Sequence, residues 1–189
     1  MTRRLSLLIA VIVSAIIVSQ PSFAADPVAI SDFAGRWQGV EVATPIDAIT
    51  PDDLSVEIAA DDGGFQLSWM DLGQLGPDRS AAKTTEARFS QTDRAGVFEY
   101  KPESGSFLDR MFASPAAGNP LEGETLLWAR IDTVALVVYS LTIDENGGFG
   151  LDHYSWTRTE DGLMLHYRQR THESGEQLAV KGQLQQADN

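Results

Sequence analysis

Past residue 34 the apolar side chains recur at every second position, which predicts strands with one buried face rather than helices. Gly35–Ala43 reads as a first strand. Leu54, Val56 and Ile58 alternate with Ser55, Glu57 and Ala59 and predict a second. Asp61-Asp62-Gly63-Gly64 predicts a hairpin turn, because aspartate and glycine tolerate the positive φ that such turns require. Phe65, Leu67 and Trp69 alternate in a third strand. Residues 84–92 and Val97–Lys101 form a further hairpin around Asp93-Arg94-Ala95-Gly96. Strands at 124–132 and 134–143 follow. The turns Asn146-Gly147-Gly148, Glu160-Asp161-Gly162 and Glu173-Ser174-Gly175 then lead into strands at 149–158, 163–170 and 177–186. The sum is about ten strands, joined mostly by short turns.

Consecutive hairpins make a meander, and a long meander in one domain removes its exposed edges by closing. The expected fold is therefore all-β, a single up-and-down antiparallel barrel of about 8–10 strands. A two-sheet sandwich competes, but it usually needs longer crossing connections than 149–186 offers. Two stretches break the alternation. Residues 44–53 hold two prolines and an Asp pair and read as a loop. Residues 102–123 are longer, and Phe107-Leu108-Asp109-Arg110-Met111-Phe112 within them has room for one or two helical turns. Loops of that length are often functional. Two readings stand: a lid over a barrel mouth, or apolar side chains plugging one barrel end.

The first 24 residues look different. Arg3 and Arg4 precede an apolar run from Leu5 to Val18, and Pro21-Ser22-Phe23-Ala24 ends it with small side chains where a signal peptidase needs them. The expectation is a signal peptide at 1–24, cleaved after Ala24, and one barrel domain at 25–189. The apolar run is short of the ~20 residues a spanning helix needs, so no membrane span is expected after cleavage. The short leader points to the periplasm. Composition agrees with an exported domain stabilised by packing alone, since the chain has no cysteine for disulfides, thiol chemistry or thiolate metal sites. The formal charge of -13 repels phosphate backbones and anionic membranes, and no basic stripe offsets it.

The domain opens with Phe33-Ala34-Gly35-Arg36-Trp37-Gln38-Gly39. Gly-x-Trp immediately before the first strand of a meander barrel resembles the lipocalin and wider calycin signature. That resemblance implies a barrel closed at one end, with Gly35 allowing a tight approach and Trp37 packing across the floor. It also implies an arginine partner for Trp37 from a late strand, for which Arg168 and Arg170 are the candidates. Gly39 extends the likeness to the Gly-x-Trp-x-Gly opening of nitrobindin-like barrels. Those carry a haem-ligating histidine near the barrel's end, and residues 177–186 contain none, so no cofactor is expected.

Candidate chemistry is sparse. His153 and His166 fall on neighbouring strands and His172 in a turn, and nothing nearby supplies a third ligand at metal-site spacing. Asp152 and Tyr154 share a strand face that His153 does not. No nucleophile elbow, phosphate loop or dinucleotide fingerprint is present, so no catalytic or metal residues are assigned. Strand aromatics are more informative. Trp69, Phe89, Trp128 and Tyr154, with Phe107 and Phe112 of the long loop, are the candidate ligand-binding residues, suited to a small hydrophobic or amphipathic molecule inside a barrel. The alternative is a filled barrel acting as a structural or protein-interaction module. Residues 134–143 are apolar on both faces, and either the long loop or a second copy in a homodimer would cover the outer one.

Overall fold

The computed structural model describes residues 28–45, 47, 49–74, 83–102, 118–173 and 175–187. Ten antiparallel strands follow one another around a closed barrel: β1 (Gly35–Ala43), β2 (Val56–Asp61), β3 (Gly64–Met70), β4 (Thr84–Gln91), β5 (Val97–Lys101), β6 (Leu126–Asp132), β7 (Ala135–Ile143), β8 (Phe149–Thr159), β9 (Gly162–Thr171) and β10 (Gly175–Gln186). Each pairs with its sequence neighbours, and β1 closes on β10 with Trp37 opposite Gln186. The regular helical elements among the described residues are single 3-10 turns. One of them, Pro51–Leu54, holds Leu54, so the second strand starts at Val56 rather than at the start of the 54-56-58 alternation.

The two barrel ends differ because their connections differ. At one end lie the tight turns at 62–63, 92–96, 133–134 and 160–161, together with the chain's arrival at β1. The strand ends that flank 44–55, 71–83 and 102–125 lie at the other. The first end is closed. Phe33 is fully buried there, and the Trp37 indole N–H donates to its carbonyl oxygen at 2.8 Å. Arg158 of β8 pairs with Asp32 at 3.3 Å and fastens the incoming segment from outside. Arg168, expected as the partner of Trp37, is not: Leu163, Leu165 and Tyr167 are the buried inward residues of β9, so alternation turns Arg168 outward, opposite His153.

The interior is filled in cross-strand layers. Phe65 stacks on Phe89 with centroids 4.8 Å apart and meets Phe98 edge-on at 5.1 Å. Tyr154 stacks on Trp156 and lies against Tyr167. Each such ring taken out of water stabilises the fold by about 1.5–3 kcal/mol. Two inward positions carry no side chain, Gly39 on β1 and Gly182 on β10. The 3-10 turn fills the space they leave: a Cβ on Gly182 would collide with the Leu54 side chain, and one on Gly39 with the Pro51 carbonyl, with Leu54 Cβ 3.1 Å away. Asp53 braces that turn by accepting from the Thr50 N–H at 2.7 Å and hydroxyl at 2.8 Å.

Candidate functional site

Toward the long-connection end the inward residues change from apolar to polar. On β7, Leu136 and Val138 give way to Ser140 and Thr142; on β8, Trp156 and Tyr154 give way to Asp152; on β9, Leu165 and Tyr167 give way to Gln169. Register places Ser140, Asp152 and Gln169 side by side. Above the Tyr154–Tyr167 layer the barrel holds a cup of about 230 Å³. Trp69, Leu127 and Tyr154 form its apolar and aromatic part. Asp71, Asp152, Gln169, Lys83 and the hydroxyl residues Thr85, Thr125, Ser140 and Thr142 supply the polar part.

Side chains and backbone lock the carboxylate corner. The Tyr167 hydroxyl donates to Asp152 Oδ1 at 2.7 Å, and Gln169 Nε2 donates to the same oxygen at 3.1 Å. The Leu72 N–H donates to the Tyr154 hydroxyl at 3.1 Å, and that hydroxyl reaches Asp71 at 3.5 Å. Gly73 lies against this corner, where an added Cβ would sit 2.6 Å from Gln169 Nε2 and 2.8 Å from both Asp152 Oδ1 and the Tyr167 hydroxyl. Burial raises the Asp152 pKa above the ordinary carboxylate value; Tyr167 opposes the rise, nearby Asp71 adds to it, and Gln169 opposes it. Burial likewise holds the Tyr154 and Tyr167 hydroxyls protonated, with Asp71 and Asp152 reinforcing the effect. Both phenols are therefore fixed donors.

The wall around the cup is uneven. β5 has five residues and pairs only with Arg88–Gln91 of β4 and 128–130 of β6. Thr85 on β4 and Leu127 on β6 both line the cup beyond the end of that pairing. On the opposite side, the turns after β7 and β9 enclose a further rim hollow of about 540 Å³ that shares Thr142 and Gly150 with the cup.

The residues proposed from the sequence separate into groups. Trp69 and Tyr154 line the cup. Phe89 faces inward but is sealed in the closed half against Phe65. Trp128 faces outward, stacked on Tyr139 at 4.9 Å, because Leu127 and Ala129 are the inward residues of β6. Phe107 and Phe112 lie outside the described residues, as does the rest of 103–117. His153 and His166 are diagonal neighbours on the outer face, and His172 contacts Phe149 beyond the end of β9. Among the described residues no three metal-ligating side chains converge. Sequence reasoning missed Asp71, Gln169, Ser140 and Thr142; the available signal was the loss of apolar character on inward positions toward one end of three adjacent strands. No protein-family model, no curated protein and no solved structure matches the chain.

Proposed function

We propose that this chain is an exported, calycin-like binding protein that holds a small amphipathic molecule in the polar mouth of its barrel. The observation that carries the proposal is the cup itself: about 230 Å³ of space, lined by Trp69 and Leu127 together with Asp71, Asp152 and Gln169. A few placed polar groups against an apolar wall is the usual composition of a ligand site. The filled layers beneath restrict the cargo to a small molecule held at the mouth, and the polar corner favours one with a hydrogen-bonding end over a purely hydrophobic one. The closed antiparallel meander fits the calycin architecture. The leader-like sequence at 1–24 supports export to the periplasm, which N-terminal sequencing of the secreted protein tests.

The binding test is native mass spectrometry of the protein after exposure to a periplasmic small-molecule extract, with tryptophan emission recorded in parallel. The expected result is a defined adduct that Trp69→Ala weakens at least tenfold and that is also weakened by Gly73→Ala. A protein that carries no adduct, and whose emission is unmoved by the extract, overturns the reading.

A further inference from the structure

The outer face of β6–β9 has a different character from the rest of this acidic molecule. Three cross-strand rows run over it. Trp128, Tyr139, His153 and Arg168 form the middle row. Leu126, Leu141, Leu151 and Arg170 form the row on the mouth side, and Arg130, Val137, Ser155 and His166 the row on the other. Lys181 of β10 lies opposite His166, and Glu176 of the same strand lies opposite Arg170 in the register. The chain carries 27 acidic residues against 14 Lys and Arg. Yet the described outward side chains of these rows include no carboxylate. The nearest acid along β6, Asp132, pairs with Arg130 at 3.0 Å. Arg168 and Arg170 belong to none of the ion pairs found among the described residues.

Two residues apart on one strand, Arg168 and Arg170 project from the same face about 7 Å apart at the backbone, within reach of one shared anion. Between them and Tyr139 lies a cleft of about 230 Å³ lined by Tyr139, Leu151, His153, Arg168 and Arg170. Its aromatic wall is held in place. Tyr139 stacks on Trp128 at 4.9 Å with the planes 10° apart, has the Arg130 guanidinium 5.9 Å from its centroid, and meets the His153 ring at 4.9 Å. Burial lowers the His153 pKa first, and Arg168, Arg130 and His166 lower it further, in the order given. The imidazole is therefore neutral at neutral pH and offers a single N–H donor beside the two guanidiniums.

We propose that this cleft is a second binding site, separate from the barrel mouth, for a single-ring organic carboxylate. The carboxylate lies between the Arg168 and Arg170 guanidiniums, and the ring packs on Tyr139 and Leu151. The cleft is smaller than the ~300–1,000 Å³ of sites for larger ligands, which sets the one-ring limit. The charge requirement follows from two neighbouring guanidiniums, neither of which is ion-paired among the described residues.

Benzoate is the probe and benzylamine, its charge-reversed counterpart, the control, both titrated into the purified protein while the His153 imidazole and Tyr139 ring signals are followed by NMR. Saturable shifts are expected with benzoate and none with benzylamine. Bound benzoate should raise the His153 pKa, because the anion offsets Arg130, Arg168 and His166. Arg168→Ala and Arg170→Ala, both at exposed positions, should each weaken benzoate at least tenfold, while Trp69→Ala in the barrel mouth leaves it unchanged. Failure of benzoate to saturate at millimolar concentration, equal binding of benzylamine, or sensitivity to Trp69→Ala but not to Arg168→Ala overturns the proposal.

Discussion

Leu54→Ala tests the packing that fills the barrel interior beside β1 and β10. Leu54 is 2 % exposed and fills the space over two inward glycines, Gly39 and Gly182. Large-to-small core changes of this kind cost about 2.7–5 kcal/mol, depending on how far neighbours collapse into the hole. Here the facing residues have no side chains to move, so the loss belongs in the upper part of that range, about 3–5 kcal/mol. For a domain of this size each kcal/mol lowers Tm by roughly 2–4 °C, giving a fall of about 6–20 °C. Urea unfolding followed by tryptophan emission reads the same loss as a lower midpoint at unchanged slope. Gly182→Ala supplies the partner variant. In the native protein its Cβ meets the Leu54 methyl and comes within 2.6 Å of the Glu41 carbonyl oxygen. In the Leu54→Ala background the first collision is gone. Gly182→Ala should therefore cost at least ~1 kcal/mol less there than alone, a coupling of the size seen between residues in contact. A Leu54→Ala loss under about 1 kcal/mol, or strict additivity with Gly182→Ala, refutes the argument.

Asp152→Asn keeps an oxygen acceptor for Tyr167 and Gln169 and removes only the charge. Because the folded pKa is raised, the native state retains a proton that the unfolded chain has released, so the wild type loses stability as pH rises from 3.8 through the folded value. The variant should lack that decline and be at least as stable at pH 7, as thermal melts across pH 3–8 would show; a variant clearly weaker at pH 7 would contradict the burial argument. Thr133 has φ of 52° in the β6–β7 turn, a strained setting for a β-branched residue, and Thr133→Gly should raise stability by about 0.5–1 kcal/mol in urea unfolding. Gly73→Ala should displace Gln169 and Asp152, seen as shifted side-chain NMR signals, while strand signals of the closed end stay put.

Most strands were legible because they expose one face, and period two is then written plainly into Phe65-Leu67-Trp69 or Leu163-Leu165-Tyr167; β7, buried on both faces over Ala135–Val138, was read from its continuous apolar run. The turn chemistry at Asp61-Asp62-Gly63-Gly64 and Glu160-Asp161-Gly162 made neighbours antiparallel, and the number of hairpins made closure the expected outcome. Leu54 was misread for a physical reason: it does continue an inward alternation in sequence, but it reaches the interior from a loop, and only Gly39 and Gly182 on distant strands reveal that a side chain is missing there. Trp128 was chosen on residue type, whereas its facing depends on a parity that Leu127 and Ala129 decide. Half of the polar corner was visible, since Asp152 and Tyr154 share a face by spacing alone. Asp71 joins them across a separation of 83 residues from Tyr154, a contact that no local pattern encodes. Arg168 was drawn from a family likeness, and β9 alternation sends it to the other side of the wall.

Closure of β1 against β10 has a kinetic consequence. Trp37 pairs with Gln186, so the last seam of the barrel joins the two ends of the domain, and the nine earlier pairings leave two open edges until it forms. Neighbouring hairpins assemble from local contacts, but this seam carries the full loop-closure cost of the intervening chain. A chain growing from its N-terminus holds β1 and β9 as bare edges until Gly175–Gln186 has emerged, and bare edges are where chains stick to one another. The final twelve residues therefore act as a latch in time as well as in space. Their delayed arrival, more than any local weakness, sets the interval during which this protein is vulnerable to aggregation.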